Sequence, residues 1–379
     1  EAYKTDKRPK KINLGVGIYL NSEGKIPTLN CVKRIIQSKI FTTGGYLPID
    51  GAPNYCHEVK KLLFDQENTL SQDDTIVTIQ SLGGTGALRV GAEMLKTLSP
   101  NSTVAISDPS WENHRSIFET VGLNVITYPY YDELKKDIKI IEFLEKLRTL
   151  PEQSIVVLHA CCHNPTGLDL ESSQWNEVIS TIEEKHHIPF LDIAYQGFKD
   201  GINEDAEIIK KFVSRIRPTF VASSFSKSLS LYGERIGALS IATESISESK
   251  KVLSHLKKIV RSSYSNPPTY GQYLVTEVLS DTNARDKWDE ELKKMRDRIK
   301  FTRSALVKLL NNNKKSRDFS FITSQNGMFS FSGLNEKEVT KLRNDFGIYI
   351  VNSGRICVAA INERNIDYIA SSISTVIEN

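Results

Sequence analysis

The sequence predicts an α/β protein: a large domain with a mostly parallel sheet of the seven-stranded type between helices, plus a smaller α+β domain built from both chain ends. Three observations carry this. Short, continuously apolar runs alternate with amphipathic stretches from Ile76 to Ala222, and strands apolar on both faces belong in a sheet covered by helices on both sides. Beyond Ser280 the texture changes to one long, highly charged helical pattern, Asn283 to Leu310, suited to linking two bodies. The chain's 379 residues also exceed one ordinary core. The expected division is 27–294 for the large domain, with 1–26 and 295–379 forming the small one.

Taken in order, Ile12 to Tyr19 reads as an extended lead-in with Gly15 and Gly17 permitting a bend. A helical pattern runs from Leu29 to Ile40, and Tyr46 to Gly51 breaks it with proline and glycine. Cys56 to Gln66 resumes helical spacing. Ile76–Ile79 is strand-like and enters a glycine turn, Gly83 to Gly86, before a helix over Ala87 to Leu98. Strands are expected at Thr103–Ser107, Asn124–Tyr128, Ile155–His159, Phe190–Ile193 and Thr219–Ala222. Helices are expected at Asn113–Thr120, Ile138–Arg148, Ser172–Lys185 and Glu207–Ser214. The Ile138–Arg148 helix takes Ile138, Ile141, Leu144 and Leu147 as its apolar face. Right-handed crossovers put the strand-end loops on one edge, where ligands collect. The C-terminal part offers short strands within Phe319–Gly333 and Ile348–Ala359, and helices at Asn335–Phe346 and Ile366–Ile377.

Bulk properties narrow the function classes. Charged residues are 25% of the chain and the net charge is only +3, so no basic field calls for nucleic acid. No apolar stretch approaches a membrane span, and the densest polar run, Asn311 to Arg317, reads as an exposed loop. Glu1 to Lys11 mixes charges without a hydrophobic centre, unlike a secretory signal; what precedes Glu1 is left open. Five cysteines without framework spacing favour a reducing compartment, so the cytoplasm is expected.

Chemistry concentrates at the strand ends. The Thr219–Ala222 run leads into Ser223-Ser224-Phe225-Ser226-Lys227, and Tyr232 and Arg235 follow before a new apolar run. A desolvated lysine loses pKa and becomes a nucleophile of the Schiff-base kind, while serine hydroxyls and an arginine fork suit a phosphate monoester. Asp192 follows another strand, where a carboxylate either caps a turn or holds a heterocycle protonated. His159, Cys161, Cys162 and His163 invite a metal reading, but adjacent cysteines on extended backbone point to opposite faces, so no metal site is expected. Strand, glycine turn and helix around Gly83 to Gly86 would aim backbone N–H groups at a phosphate, yet the lysine of a nucleotide-binding loop is absent.

These residues are laid out as Ser-x-x-Lys-x-x-x-x-Tyr-x-x-Arg-x-Gly from Ser224 to Gly237. With it stand Tyr46-Leu47-Pro48-Ile49, Gly84-Thr85-Gly86, Trp111-x-Asn113-His114, His163-Asn164-Pro165-Thr166-Gly167, Asp192-x-x-Tyr195-Gln196-Gly197-Phe198, Tyr264 to Pro268, Gly327 to Phe331 and Ser353-Gly354-Arg355. In combination the chain resembles the class I aminotransferases, fold-type I pyridoxal-phosphate enzymes, and within them the aspartate-specific branch, from about Ile12 to the C-terminus.

The resemblance implies a cofactor, pyridoxal 5'-phosphate, in Schiff-base linkage to Lys227, which also shuttles the substrate proton. It implies that Asp192, backed by His114, holds the pyridinium nitrogen, that Tyr195 and Asn164 bond the ring hydroxyl, and that Trp111 stacks on the ring. Gly84, Thr85, Ser224 and Arg235 hold the phosphate, joined by Tyr46 from the second subunit of a homodimer. Gly17, Trp111, Asn164 and Arg355 meet the substrate, and Arg261 reaches across from the other subunit to its side-chain carboxylate. The implied reaction is a ping-pong transfer of the amino group of L-aspartate to 2-oxoglutarate, giving oxaloacetate and L-glutamate. An aromatic or broad-specificity aminotransferase is the alternative, because such an arginine can swing aside for a neutral ring. A catalytically silent scaffold predicts a damaged site, which this sequence does not have. The chain departs from the pattern at Gly83, where the family carries a hydroxylated residue, and at Cys162 and Cys357.

Overall fold

The computed structural model describes residues 2–38, 41, 44–64, 73–312 and 317–378. The ends of the Leu29–Ile40 and Cys56–Gln66 patterns, and most of the Asn311–Arg317 loop, lie outside the described residues. The N-terminal part comprises helix α1 (Ala2–Thr5), strand β1 (Ile12–Asn13) and helices α2 (Asn30–Ser38) and α3 (Pro53–Phe64). Then come β2 (Ile76–Leu82), α4 (Gly83–Leu98), β3 (Thr103–Asp108), α5 (Glu112–Thr120) and β4 (Asn124–Pro129). A small hairpin of β5 (Tyr131–Asp132) and β6 (Asp137–Ile138) precedes α6 (Ile140–Thr149). The alternation resumes with β7 (Ile155–His159), α7 (Ser172–Glu184), β8 (Ile188–Ile193), α8 (Glu207–Arg215), β9 (Thr219–Ser224) and β10 (Ile236–Ala242).

The seven-stranded sheet has the order β2-β10-β9-β8-β7-β3-β4. β3, β4, β7, β8 and β9 pair in parallel, whereas β10 runs antiparallel to both β9 and β2. That single reversal matters for the site. Because β10 enters the sheet from the opposite direction, Arg235, the residue before it, lands on the edge where the parallel strands end. Every residue of β7, β9 and β10 is buried, as expected for strands covered on both faces. From β3 the chain steps one way to β4 and the other way to β7, so a crevice opens at the carboxyl ends between them.

Helices α9 (Ile246–Ser263) and α10 (Tyr270–Ser280) lead to α11 (Thr282–Asn312), and the smaller domain follows. It contains β11 (Phe329–Phe331), α12 (Glu336–Phe346), β12 (Ile348–Tyr349), β13 (Arg355–Cys357) and α13 (Ile366–Glu378). β12 pairs with β1 and β11 with β13, so both chain ends build this body. All five cysteines are free, and among the described residues no helix is long and apolar enough to cross a membrane.

Two expectations need correction. Ile141 is 68% exposed, and the buried face of α6 is Phe143, Leu144 and Leu147; Ile138 lies in the hairpin before the helix. The glycine run Gly83–Gly86 is the first turn of α4 itself and no separate loop. Glycine is tolerated there because first-turn N–H groups have no intrahelical acceptor to lose.

Candidate active site

At the carboxyl edge of the sheet lies a cavity of about 200 Å³. It is lined by Gly17, Gly84, Thr85, Trp111, Asn164, Asp192, Tyr195, Ser224, Lys227 and Arg235, and by five residues to which the sequence reading assigned no role: Leu88, His159, Ala194, Ser226 and Tyr232. Most arrive from strand ends, while Leu88 lies on α4 and Gly17 in the N-terminal lead-in. β2 delivers the Gly84–Thr85 turn, β3 Trp111, β7 His159 and Asn164, β8 Asp192 and Tyr195, and β9 Ser224 and Lys227.

Asp192 is buried at the end of β8, opposite His159 on β7. His114 Nε2 lies 2.9 Å from Asp192 Oδ2, and a carboxylate only accepts, so that nitrogen carries the proton. The other ring nitrogen, Nδ1, sits 3.0 Å from the Ser110 hydroxyl, which fixes the tautomer. Burial alone would push the Asp192 carboxyl up. The His114 hydrogen bond and the charges of His114, His159 and Lys227 outweigh it and hold Asp192 below the usual carboxylate range. The result is a buried negative charge at the cavity floor.

Lys227 is pulled the other way. Burial lowers its pKa and Arg235 lowers it further, against Asp192, which raises it. Its Nζ stands 4.8 Å above the Tyr195 ring. Tyr195 meets Phe329 edge-on at 6.0 Å, and the Arg355 guanidinium lies 4.2 Å over the other side of the cluster, on the Phe329 ring. Phe329 on β11 thus spaces the amine side of the cavity from the guanidinium.

Arg355 Nη1 donates to Asn164 Oδ1 at 3.1 Å and Nη2 to the Gly15 carbonyl at 3.0 Å, while its buried Nε has no hydrogen-bond partner. Burial lowers the pKa of this guanidinium. A half-buried cation with an orphaned donor, and no carboxylate bridged to it among the described residues, is a receptor for a small carboxylate. It opens with Trp111, Asn164 and Ser353 onto a second depression beside the main cavity.

A phosphate-sized corner faces it. Gly84 and Thr85 lie in the first turn of α4, where N–H groups and helix dipole favour an anion. Ser224 Oγ accepts from the Ser226 amide at 3.3 Å, and Arg235 Nη1 donates to Ser226 Oγ at 3.2 Å. Gly83 has φ +69°, and a Cβ there would come within 2.6 Å of Arg235 Nη2. The departure from a hydroxylated residue therefore has a physical reason: the guanidinium fills the space that side chain would need.

Two expected site residues are elsewhere. Tyr46 is 94% exposed and borders an open surface depression shared with Arg235 and Tyr264 to Thr269. Arg261, in the last turn of α9, is exposed and donates to Ser265 Oγ at 2.6 Å. Neither lines the cavity of its own chain.

His159 is the clearest residue that spacing alone does not announce. Its ring packs 4.9 Å from His114 and 4.4 Å from His163, and its buried Nε2 has no partner. His114, His159 and Asp192 place ligand atoms within 4.8 Å of one another, but His114 is already committed to Ser110 and Asp192. Tyr232, whose hydroxyl accepts from the Tyr19 amide at 2.8 Å, sits inside the lysine motif and so was open to being found. Cys162 and Cys357 are buried thiols that burial pushes up to about 11, and nothing in the structure gives either a chemical role.

The donor set fits pyridoxal 5'-phosphate. It offers an anion cradle, an amine of depressed pKa, a flat indole and a buried carboxylate suited to a ring N–H. Comparison with known proteins agrees. A family model described as aminotransferase class I and II matches residues 9–373. The chain is 52% identical to an aspartate aminotransferase of Pseudomonas aeruginosa, over 100% of this chain and 95% of the relative. It is 44% identical to an aromatic-amino-acid aminotransferase of Escherichia coli, over 99% and 96%. Among solved structures, the aromatic-amino-acid aminotransferase from Burkholderia pseudomallei, covalently bound to pyridoxal phosphate, superposes with a TM-score of 0.95 at 50% identity, covering 99% of this chain and 94% of that one.

Proposed function

Since the chain belongs to the class I and II aminotransferase family and is a pyridoxal-phosphate-dependent transaminase of its aspartate and aromatic group, we propose that its amino donor is L-aspartate and its acceptor 2-oxoglutarate. When bound, the cofactor supplies an aldehyde that captures amines and a cationic ring that takes up the electron pair left at the substrate Cα. The chain's residues do the rest. Lys227 would anchor the cofactor and, as a free amine, would remove and return the substrate Cα proton. Its depressed pKa keeps a fraction of the amine neutral for that work. Asp192, ionised and backed by His114, holds a proton on the ring nitrogen. Tyr195 and Asn164 would bond the ring hydroxyl, Trp111 would lie against the ring, and Gly84, Thr85, Ser224, Ser226 and Arg235 would hold the phosphate. Arg355 grips the α-carboxylate, with Gly17 keeping that approach free of a side chain.

The observation that carries aspartate as donor is Arg261. Its guanidinium is bonded to Ser265 Oγ and is in no ion pair among the described residues. In a homodimer it would meet the second carboxylate of a substrate in the other subunit, and Tyr46 would reach the other subunit's phosphate. The second reading, an aromatic or broad-specificity enzyme, draws on the apolar and aromatic lining of Leu88, Trp111, Tyr195 and Tyr232.

Specificity constants for aspartate and phenylalanine, measured on wild type and Arg261→Ala, separate the two. Losing one partner of a buried charge pair costs roughly 2–5 kcal/mol. Aspartate should therefore lose on the order of a hundredfold or more in kcat/KM, and phenylalanine little. Equal losses for both would remove Arg261 from the specificity role.

A further inference from the structure

We propose that Asp205 and Arg296, which touch neither cavity nor substrate, are positioning residues that set the place of the Tyr195 phenol through the peptide of Gly197. This rests on the role given above to Tyr195 and adds the machinery behind it.

The loop after β8 is wound around one carboxylate. Asp205 Oδ2 accepts from the backbone N–H groups of Gly197 at 2.8 Å and Lys199 at 3.0 Å. Its Oδ1 accepts from Asp200 at 2.9 Å and Gly201 at 3.4 Å. Asp205 is buried and forms no ion pair among the described residues; burial pushes its carboxyl up, and the four amide hydrogen bonds oppose that shift. That is an unusual use of a carboxylate. Burying one without a cation costs several kcal/mol unless hydrogen bonds replace its water shell. Here four converging N–H groups offset part of that cost, and in return the carboxylate fixes the loop.

From the other side the same peptide is held by α11. Arg296 Nη1 donates to the Gly197 carbonyl at 2.6 Å. Leu292, one turn earlier on the same face, presses on Gly197 so closely that a Cβ there would lie 2.2 Å from Leu292 Cδ2. Gly197 sits at φ +89°, which only glycine adopts without strain. Its N–H, its C=O and its Cα are therefore each fixed by a different partner. Two residues before it stands Tyr195, and the Phe198 amide closes the turn by donating to the Tyr195 carbonyl at 3.0 Å. Gln196 Nε2 ties the span to the Ile202 carbonyl at 2.8 Å.

The phenol needs such holding because its neighbours would displace it. Burial pushes the Tyr195 phenol up, with Asp192 adding to the shift and Arg355 opposing it, and the Lys227 amine stands over its ring. Where the phenol stands relative to these groups sets which of them it meets. A loop fixed only by its own turns would leave that to chance; a loop clamped by a carboxylate and a guanidinium does not.

α11 also explains why the clamp is a guanidinium on that helix. Arg298 donates to Tyr19 Oη at 2.8 Å and to the carbonyls of Leu20, Ala359 and Ile361, and Arg303 to Gly327 O at 2.5 Å and Ser330 Oγ at 3.1 Å. Two arginines on this helix thus hold the segments around Phe329 and the N-terminal lead-in, and Arg296 holds the Tyr195 loop. The helix references the phenol to the body that carries Arg355.

The test is a double-mutant cycle on the holoenzyme with Tyr195→Phe and Arg296→Met. Two readouts are followed: kcat and KM for aspartate, and the pH midpoint of the bound cofactor's absorption without substrate. Arg296→Met alone is expected to lower kcat about tenfold, the size of one lost hydrogen bond to a charged group, with KM changed less. It is expected to move the absorption midpoint in the direction that Tyr195→Phe moves it. In the Tyr195→Phe background the same change should cost less than about twofold on either readout, because the residue it acts through is already gone. Arg296→Lys, which keeps a donor, should recover most of the midpoint.

Asp205→Asn turns amide hydrogens toward the loop's own N–H groups and is the harsher change; if it fails to fold, the Arg296 pair decides the matter alone. Losses that persist undiminished in the Tyr195→Phe background, or an unmoved midpoint in Arg296→Met, overturn the proposal. A wild-type protein without transamination, or a Tyr195→Phe variant identical to wild type, would instead overturn the reading of the site on which it rests.

Discussion

Asp192 keeps its charge in a place where burial alone would neutralise it, and the cause is a histidine whose tautomer is fixed by a serine four residues away. Burial acts on the neighbouring imidazoles too, and at His159 the Asp192 charge does not offset it. His163, between Ser107 Oγ at 2.9 Å and Thr166 Oγ1 at 2.8 Å and stacked on Tyr130, is pushed down from 6.5 to about 3 by burial, with His114 adding to the shift. Because its folded pKa lies below its unfolded one, the unfolded chain binds a proton that the folded chain does not in the window between them. Stability from this group is complete above pH 6.5 and is lost progressively as pH falls toward about 3. Thermal unfolding of the holoenzyme across that window should show a steeper decline for wild type than for His163→Gln. Parallel declines would mean that His163 is not the proton acceptor. At this scale most of the cavity-lining residues were legible because motifs at the strand ends carry them. His159 was not: what makes it part of the site is its pairing opposite Asp192, and strand pairing is not written in local spacing.

Among the elements, the apolar strands and the helices between them follow the sequence periods closely, β7 to the residue. The misreadings have separate causes. α4 begins at Gly83 because glycine's low helix propensity applies to helix interiors, not to a first turn whose N–H groups are left for an anion. α9 carries no assignment from the sequence although Ser249, Val252, Leu256 and Val260 mark a buried stripe at three- and four-residue steps. Its lysines and glutamate mask that stripe. In α6 the hairpin before the helix takes Ile138 away and rotates the apolar face off Ile141. The β5–β6 pairing has two residues per strand, with Tyr131 and Ile138 packed against Leu168 and Phe331, contacts beyond the reach of periodicity.

For the molecule as a whole, the decisive topological fact is the reversed β10, which brings the arginine of the lysine motif back to the edge where the lysine itself emerges. The division at 27–294 that we propose puts α11 astride the boundary; Arg296 and Arg298, both past it, bond Gly197 of the large domain and Tyr19 of the small one. The exposed positions of Tyr46 and Arg261 give the proposed homodimer a direct check. Lys227→Ala and Arg261→Ala homodimers should each fail with aspartate, by different defects. After subunits are mixed and re-equilibrated, hybrids carry one site with both residues intact, so about a quarter of wild-type activity should return. No recovery in demonstrably mixed dimers would place Arg261 in its own chain's site. The account as a whole depends on one covalent attachment. Reducing the holoenzyme with borohydride and mapping the labelled peptide by mass spectrometry should place the cofactor on Lys227 and nowhere else. A label on another lysine, or an unlabelled chain that still transaminates, would contradict it.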